Sequence, residues 1–160
     1  MKSARIGITA ALLLVASAAL SQGSDWSRYK PSRLGDIIAE SKASQKVDPK
    51  EADMVSGAAS YRVLLRFTGF FRPIDATSRG FIRAWLKVHG LPESHLALFD
   101  REACFEEGSE TYWLPIQTSL VTDLGAERNV GAELPVYLVW LGSIGNHRFF
   151  FIINGLDDAK

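Results

Sequence analysis

From Tyr61 to Pro73 the chain alternates with period two. Tyr61, Val63, Leu65, Phe67 and Phe71 fall on one side, and Arg62, Arg66, Thr68 and Arg72 on the other. Successive side chains of a strand point to opposite faces, so this pattern predicts a long strand with one wet face. Gly69 interrupts it where a bulge or a close backbone approach is expected. Beyond Asp75 the spacing becomes helical: Phe81, Ile82, Trp85, Leu86 and Val88 fill one side of a main helix over about 78–89. Thr77 or Ser78 is its expected cap, and Gly90 and Pro92 stop it. Upstream, Leu34, Ile37, Ile38 and Ser41 predict a short helix behind Ser32. Asp48, Pro49 and Glu51 have the order of a second helix start, limited by Gly57 to about two turns.

Leu96 to Phe105 alternates less cleanly and reads as a strand, turning at Glu106 to Ser109 into Tyr112, Trp113 and Leu114 as a hairpin. Ile116 to Leu124 predicts a short helix with Leu120, Val121 and Leu124 inward. Two apolar runs, Val136 to Leu141 and Phe149 to Ile153, form a second hairpin across Gly142, Gly145 and Asn146. Their unbroken hydrophobicity predicts strands covered on both faces. The sum is an α+β domain of about five mostly antiparallel strands, with a small OB- or SH3-like barrel as one way to close it. The expected domain spans 58–156, after a polar segment with short helices (22–57) and before a polar tail (157–160).

Residues 1–21 have the order of a secretory signal: basic Lys2 and Arg5, an uncharged run from Ile6 to Leu20, then small residues. The run is shorter than the roughly 20 residues of a spanning helix, so cleavage after Ser21, or after Ala18, is expected rather than a permanent membrane span. No cysteine lies near the cut to accept a lipid anchor. The single cysteine, Cys104, excludes an intramolecular disulfide and reads as a small half-buried apolar residue. An exported, disulfide-free domain with an Ala-rich signal is expected in a bacterial periplasm, with extracellular release as the alternative.

The 160 residues carry 18 basic and 18 acidic side chains. Formal neutrality argues against nucleic acid as a partner, because such domains are usually strongly basic. The charges are segregated, however. Ser56 to Gly90 holds Arg62, Arg66, Arg72, Arg79, Arg83 and Lys87 against Asp75 alone, a balance of +5, and Leu91 to Glu133 sums to −7. Arg79, Arg83 and Lys87, four apart, share a helical stripe, while Arg62 and Arg66 share a strand face. These six residues are the candidate ligand-binding set. Guanidinium forks suit carboxylate and phosphate, so the expected partners are an acidic envelope protein, an anionic glycan or a lipid headgroup. The competing reading pairs the basic strand with acids of the 96–110 hairpin. Attraction between the +5 and −7 regions of two copies would give a homo-oligomer.

Catalytic signals are weak. His89 and His95 are separated by Gly90 and Pro92 and lack HExxH spacing, and His147 lies beside a turn, so no metal site is expected. No catalytic signature surrounds Cys104, Ser143 is not in a GxSxG elbow, and Asp100 with Glu102 and Glu106 with Glu107 read as solvated charge near a turn. Glycine-rich phosphate loops are absent, so no cofactor is expected. Trp113 reads as core. The expected function is therefore a non-enzymatic exported binding or accessory domain. A small envelope hydrolase using carboxylates or histidines is the alternative, and a self-associating structural protein the third reading.

Overall fold

Period-two patterning produces the longest element, β2 (Met54–Pro73), which serves two neighbours. Its first part pairs antiparallel with β5 (Glu133–Ile144), from Met54↔Ile144 to Arg66↔Glu133. Its last part pairs antiparallel with β3 (Arg101–Glu107), from Arg66↔Glu106 to Pro73↔Arg101. The handover occurs at a bulge between Phe67 and Phe71, where Gly69 adopts φ 89°, a conformation that strongly favours glycine. The bulge bends β2 yet returns Phe71 toward the interior, as the expected role of Gly69 required.

β3 turns through Gly108 and Ser109 into β4 (Glu110–Ile116), and β5 pairs with β6 (Arg148–Leu156) as the second expected hairpin. β4 and β6 meet in parallel at one register pair, Ile116↔Ile153. The strands β2-β3-β4-β6-β5 thus close into a ring, and the two-residue β1 (Lys30–Pro31) adds a sixth, parallel to β2. The α+β class with mostly antiparallel strands is observed. The ring is partly open along the β4–β6 seam, as in five-stranded OB-type sheets.

A computed structural model describes residues 26–44, 54–145 and 147–157, except the side chains of 54, 55 and 128. The expected export signal (1–21) and the helix start at Asp48 lie outside the described residues. The predicted helix does not reach Gly57, because Met54 to Gly57 already belong to β2. Among the described residues no helix is long and apolar enough to cross a membrane.

Two cores result. Inside the ring, Leu65, Phe67, Phe105, Leu138 and Ile153 pack with Leu34 and Ile37 of α1 (Leu34–Ser44) and Leu124 of α3 (Thr118–Leu124). Outside it, α2 (Ala76–Val88) lays Phe81, Ile82, Trp85 and Leu86 over Tyr137, Val139, Phe150 and Ile152. Each such side chain contributes about 1.5–3 kcal/mol by leaving water. Burial from both sides explains why β5 and β6 read as continuous apolar runs.

Several expectations change. Val88 is 61% exposed rather than inward, because it lies at the last turn of α2, past the end of the packed stripe. The cap of α2 is Asp75, whose carboxylate accepts from the N–H groups of Thr77 (2.8 Å) and Ser78 (2.9 Å). The first half of the Leu96–Phe105 segment is not strand. Glu93–Leu98 forms a 3-10 turn that buries Leu96, with Phe99 buried just beyond it, both in the outer core. Those two residues are three apart, the 3-10 repeat, and the adjoining Leu98 made the segment look alternating.

The segment before α1 is docked. Trp26 stacks on Tyr137 at 4.1 Å between ring centroids, over Gly155, where a Cβ would lie 2.4 Å from the indole. The Tyr29 hydroxyl accepts from Asn154, whose own oxygen accepts from Gln117, each at 2.7 Å. The first amides of α1 are held by a distant acid: Leu34 and Gly35 donate to the Glu107 carboxylate at 2.9 and 2.8 Å. Negative charge at a helix N-terminus is favourable, so the turn that reads as solvated charge anchors a helix.

Candidate functional site

The six expected basic residues are divided between β2, which carries Arg62, Arg66 and Arg72, and α2, which carries Arg79, Arg83 and Lys87. Arg62 lies beside the Tyr137 hydroxyl, which donates to Asp157 at 2.6 Å. Burial and then the Asp157 bond raise the Tyr137 pKa, and Arg62 works against both. Arg66 stands in register between Glu106 and Glu133. Arg83 pairs with Glu93 at 3.0 Å, both well exposed, and Arg79 and Lys87 follow the same helix. Acidic neighbours of this kind are what the cross-strand pairing alternative anticipates.

Arg72 is different. Its Nε and Nη2 both donate to Glu102 Oε2 at 2.6 Å, and its guanidinium lies 4.3 Å from the centre of the Trp113 ring. Glu102, expected in solvent, is fully buried, because Arg72 and Trp113 fold over the outer face of β3. Its other oxygen, Oε1, is buried with no hydrogen-bond partner among the described residues. Cys104, opposite Trp113 in register, is buried rather than half-buried.

Across the seam, Arg148 at the start of β6 donates from Nη2 to both oxygens of Asp75, at 3.0 and 3.1 Å. Its guanidinium lies 5.5 Å from the centre of the Phe150 ring. Asp75 also approaches Arg72 at 3.9 Å. Burial would raise the Asp75 pKa, but hydrogen bonds from the Ser78 N–H and hydroxyl, the Arg148 charge and the Thr77 N–H outweigh it and hold the carboxyl below its ordinary value.

Between these groups the diverging strands leave a cleft of about 150 Å³, lined by Arg72, Asp75, Trp113, Pro115, Arg148 and Phe150 among others. Both guanidinium groups are paired and lie near an aromatic ring, yet each retains donors with no acceptor among the described residues: Nη1 of Arg72, and Nε and Nη1 of Arg148. Such donors can hold an anionic group.

Of the expected set, only Arg72 lines this cleft. Arg148, Asp75 and Trp113 were not among the candidates. A lone cation before the aromatic triplet Phe149 to Phe151 was the available signal for Arg148. The histidines do not converge on a metal site, and no metal-holding group of three or more His, Cys, Asp or Glu side chains occurs among the described residues. His89 Nε2 instead meets the Ser56 hydroxyl at 3.1 Å. No protein-family model, curated protein or solved structure matches the chain significantly.

Proposed function

We propose that the protein is an exported, non-enzymatic binding domain that holds an anionic group of a glycan in the β4–β6 cleft. The observation that carries this reading is the pair of guanidinium groups, Arg72 over Trp113 and Arg148 over Phe150, facing one small cavity with donors to spare. A small cleft with two guanidinium groups suits one charged group better than an extended acidic surface.

The test is retention of the protein on an immobilised carboxylate-bearing polysaccharide at rising salt. Parent protein should be retained and released by salt, since exposed charge attraction is screened. Arg148→Gln should elute early, while the double variant Arg62→Gln, Arg66→Gln should behave like the parent. Early elution of the double variant alone would move the binding surface to the outer face of β2.

A further inference from the structure

The cleft carries a feature that a plain anion site lacks: a carboxylate of its own. Asp75 sits between the two guanidinium groups and takes both its oxygens to Arg148. With Glu102 behind Arg72, two cations face two anions, and the cleft is close to neutral overall. Neutrality is a poor basis for holding phosphate or sulfate, whose extra charge would meet Asp75 at close range. A single carboxylate brings less charge and matches the planar fork of a guanidinium.

The cleft is small, about 150 Å³, which leaves room for one charged group. Trp113 and Phe150 line it as well, but Arg72 covers the first and the second, 5% exposed, is stacked on Phe81, so the groups open to a ligand are mainly polar.

Resting on the anion-site reading above, we infer that the β4–β6 cleft takes a single carboxylate, and that Asp75 is the residue that excludes phosphate and sulfate. Asp75 does this as a fixed charge held by two duties at once. Its bonds to Thr77, Ser78 and the Ser78 hydroxyl (2.8 Å) cap α2, so it cannot swing aside for a dianion without uncapping the helix.

The experiment is a titration of the full chain followed by the indole N–H of Trp113 and the amides of 148–151. The probes are benzoate, glucuronate, methyl glucoside as an uncharged ring, and inorganic sulfate. Parent protein should give saturable shifts with benzoate or glucuronate, none with methyl glucoside, and at least about tenfold weaker binding of sulfate. The preferred carboxylate identifies the source as aryl acid or sugar acid. Asp75→Asn keeps a good capping side chain and removes the charge, so its amide pattern over α2 should persist while sulfate gains about fivefold on the carboxylates, equivalent to about 1 kcal/mol.

Sulfate binding the parent as tightly as the carboxylates, or an unchanged ratio in Asp75→Asn, would overturn the inference and leave the anion site standing. Absence of saturable shifts with every anion would overturn both.

Discussion

Two ion pairs of the same chemistry behave differently in this fold. Arg83 and Glu93 meet at 3.0 Å with side chains 56% and 73% exposed, whereas Arg72 meets Glu102 at 2.6 Å with the acid 1% exposed. The first is a surface pair whose charges keep most of their water. The second is roofed by Trp113 and sits in the wall of the cleft. What separates them is the burial of the acid, not the arginines, which are 41% and 56% exposed: Glu102 has lost its water and depends on Arg72, while Glu93 keeps its own.

That contrast sets an order of expected effects. Arg72→Met should be the most damaging, by about 3–5 kcal/mol in urea unfolding, because it strands a buried carboxylate. Adding Glu102→Leu to it should recover most of the loss, since an apolar pair can replace a buried ion pair. Asp75→Ala, which uncaps α2 beside the same cleft, should cost about 1 kcal/mol. Glu107→Ala, freeing the first amides of α1, should cost about 0.3–1 kcal/mol and speed hydrogen exchange at 34 and 35. Arg83→Gln should change stability by less than about 0.5 kcal/mol, and a larger loss there would dissolve the contrast.

Acid sharpens the comparison. The Asp75 carboxyl has its pKa held below the ordinary value by its hydrogen bonds and by Arg148, against the effect of burial. Its charge-dependent stabilisation is therefore complete above the unfolded-state pKa of about 3.9 and is lost as pH falls through the lower folded value. Parent and Asp75→Asn should differ by a constant amount near neutrality and converge in strong acid. Divergence as pH falls would show that Asp75 is not the charged partner of Arg148.

The elements whose burial follows one periodicity were legible in sequence. β2, α2 and the last hairpin all appear where period two, period 3.6 and unbroken apolar runs place them. The 3-10 turn at Glu93–Leu98 was hidden because its buried residues, three apart with Phe99, mimic a short alternation. The candidate site was nearly illegible for a different reason. Glu102 alternates with Ala103 as a solvent-facing acid should, and nothing local to it announces that Arg72, thirty residues earlier, and Trp113 will fold over it. Arg148 and Asp75 are 73 residues apart, and only closure of the ring brings them together. A cleft formed by strands that diverge has no sequence signature of its own.

The ring is fastened unequally, by a long β2–β5 pairing on one side and, at the seam, by the single backbone pair Ile116↔Ile153 and the Gln117–Asn154 hydrogen bond. It is built like a clasp, with its hinge in β2 and its catch between β4 and β6. Arg72 and Trp113 stand on one jaw and Arg148 on the other, so a ligand touching both would hold the catch shut. Occupancy would then appear in the melting curve as well as in binding: at a hundred times its dissociation constant, a ligand that binds only the folded protein adds about 2.7 kcal/mol to stability. Amides along the seam would gain the most protection, which makes local exchange a sensitive indicator of occupancy.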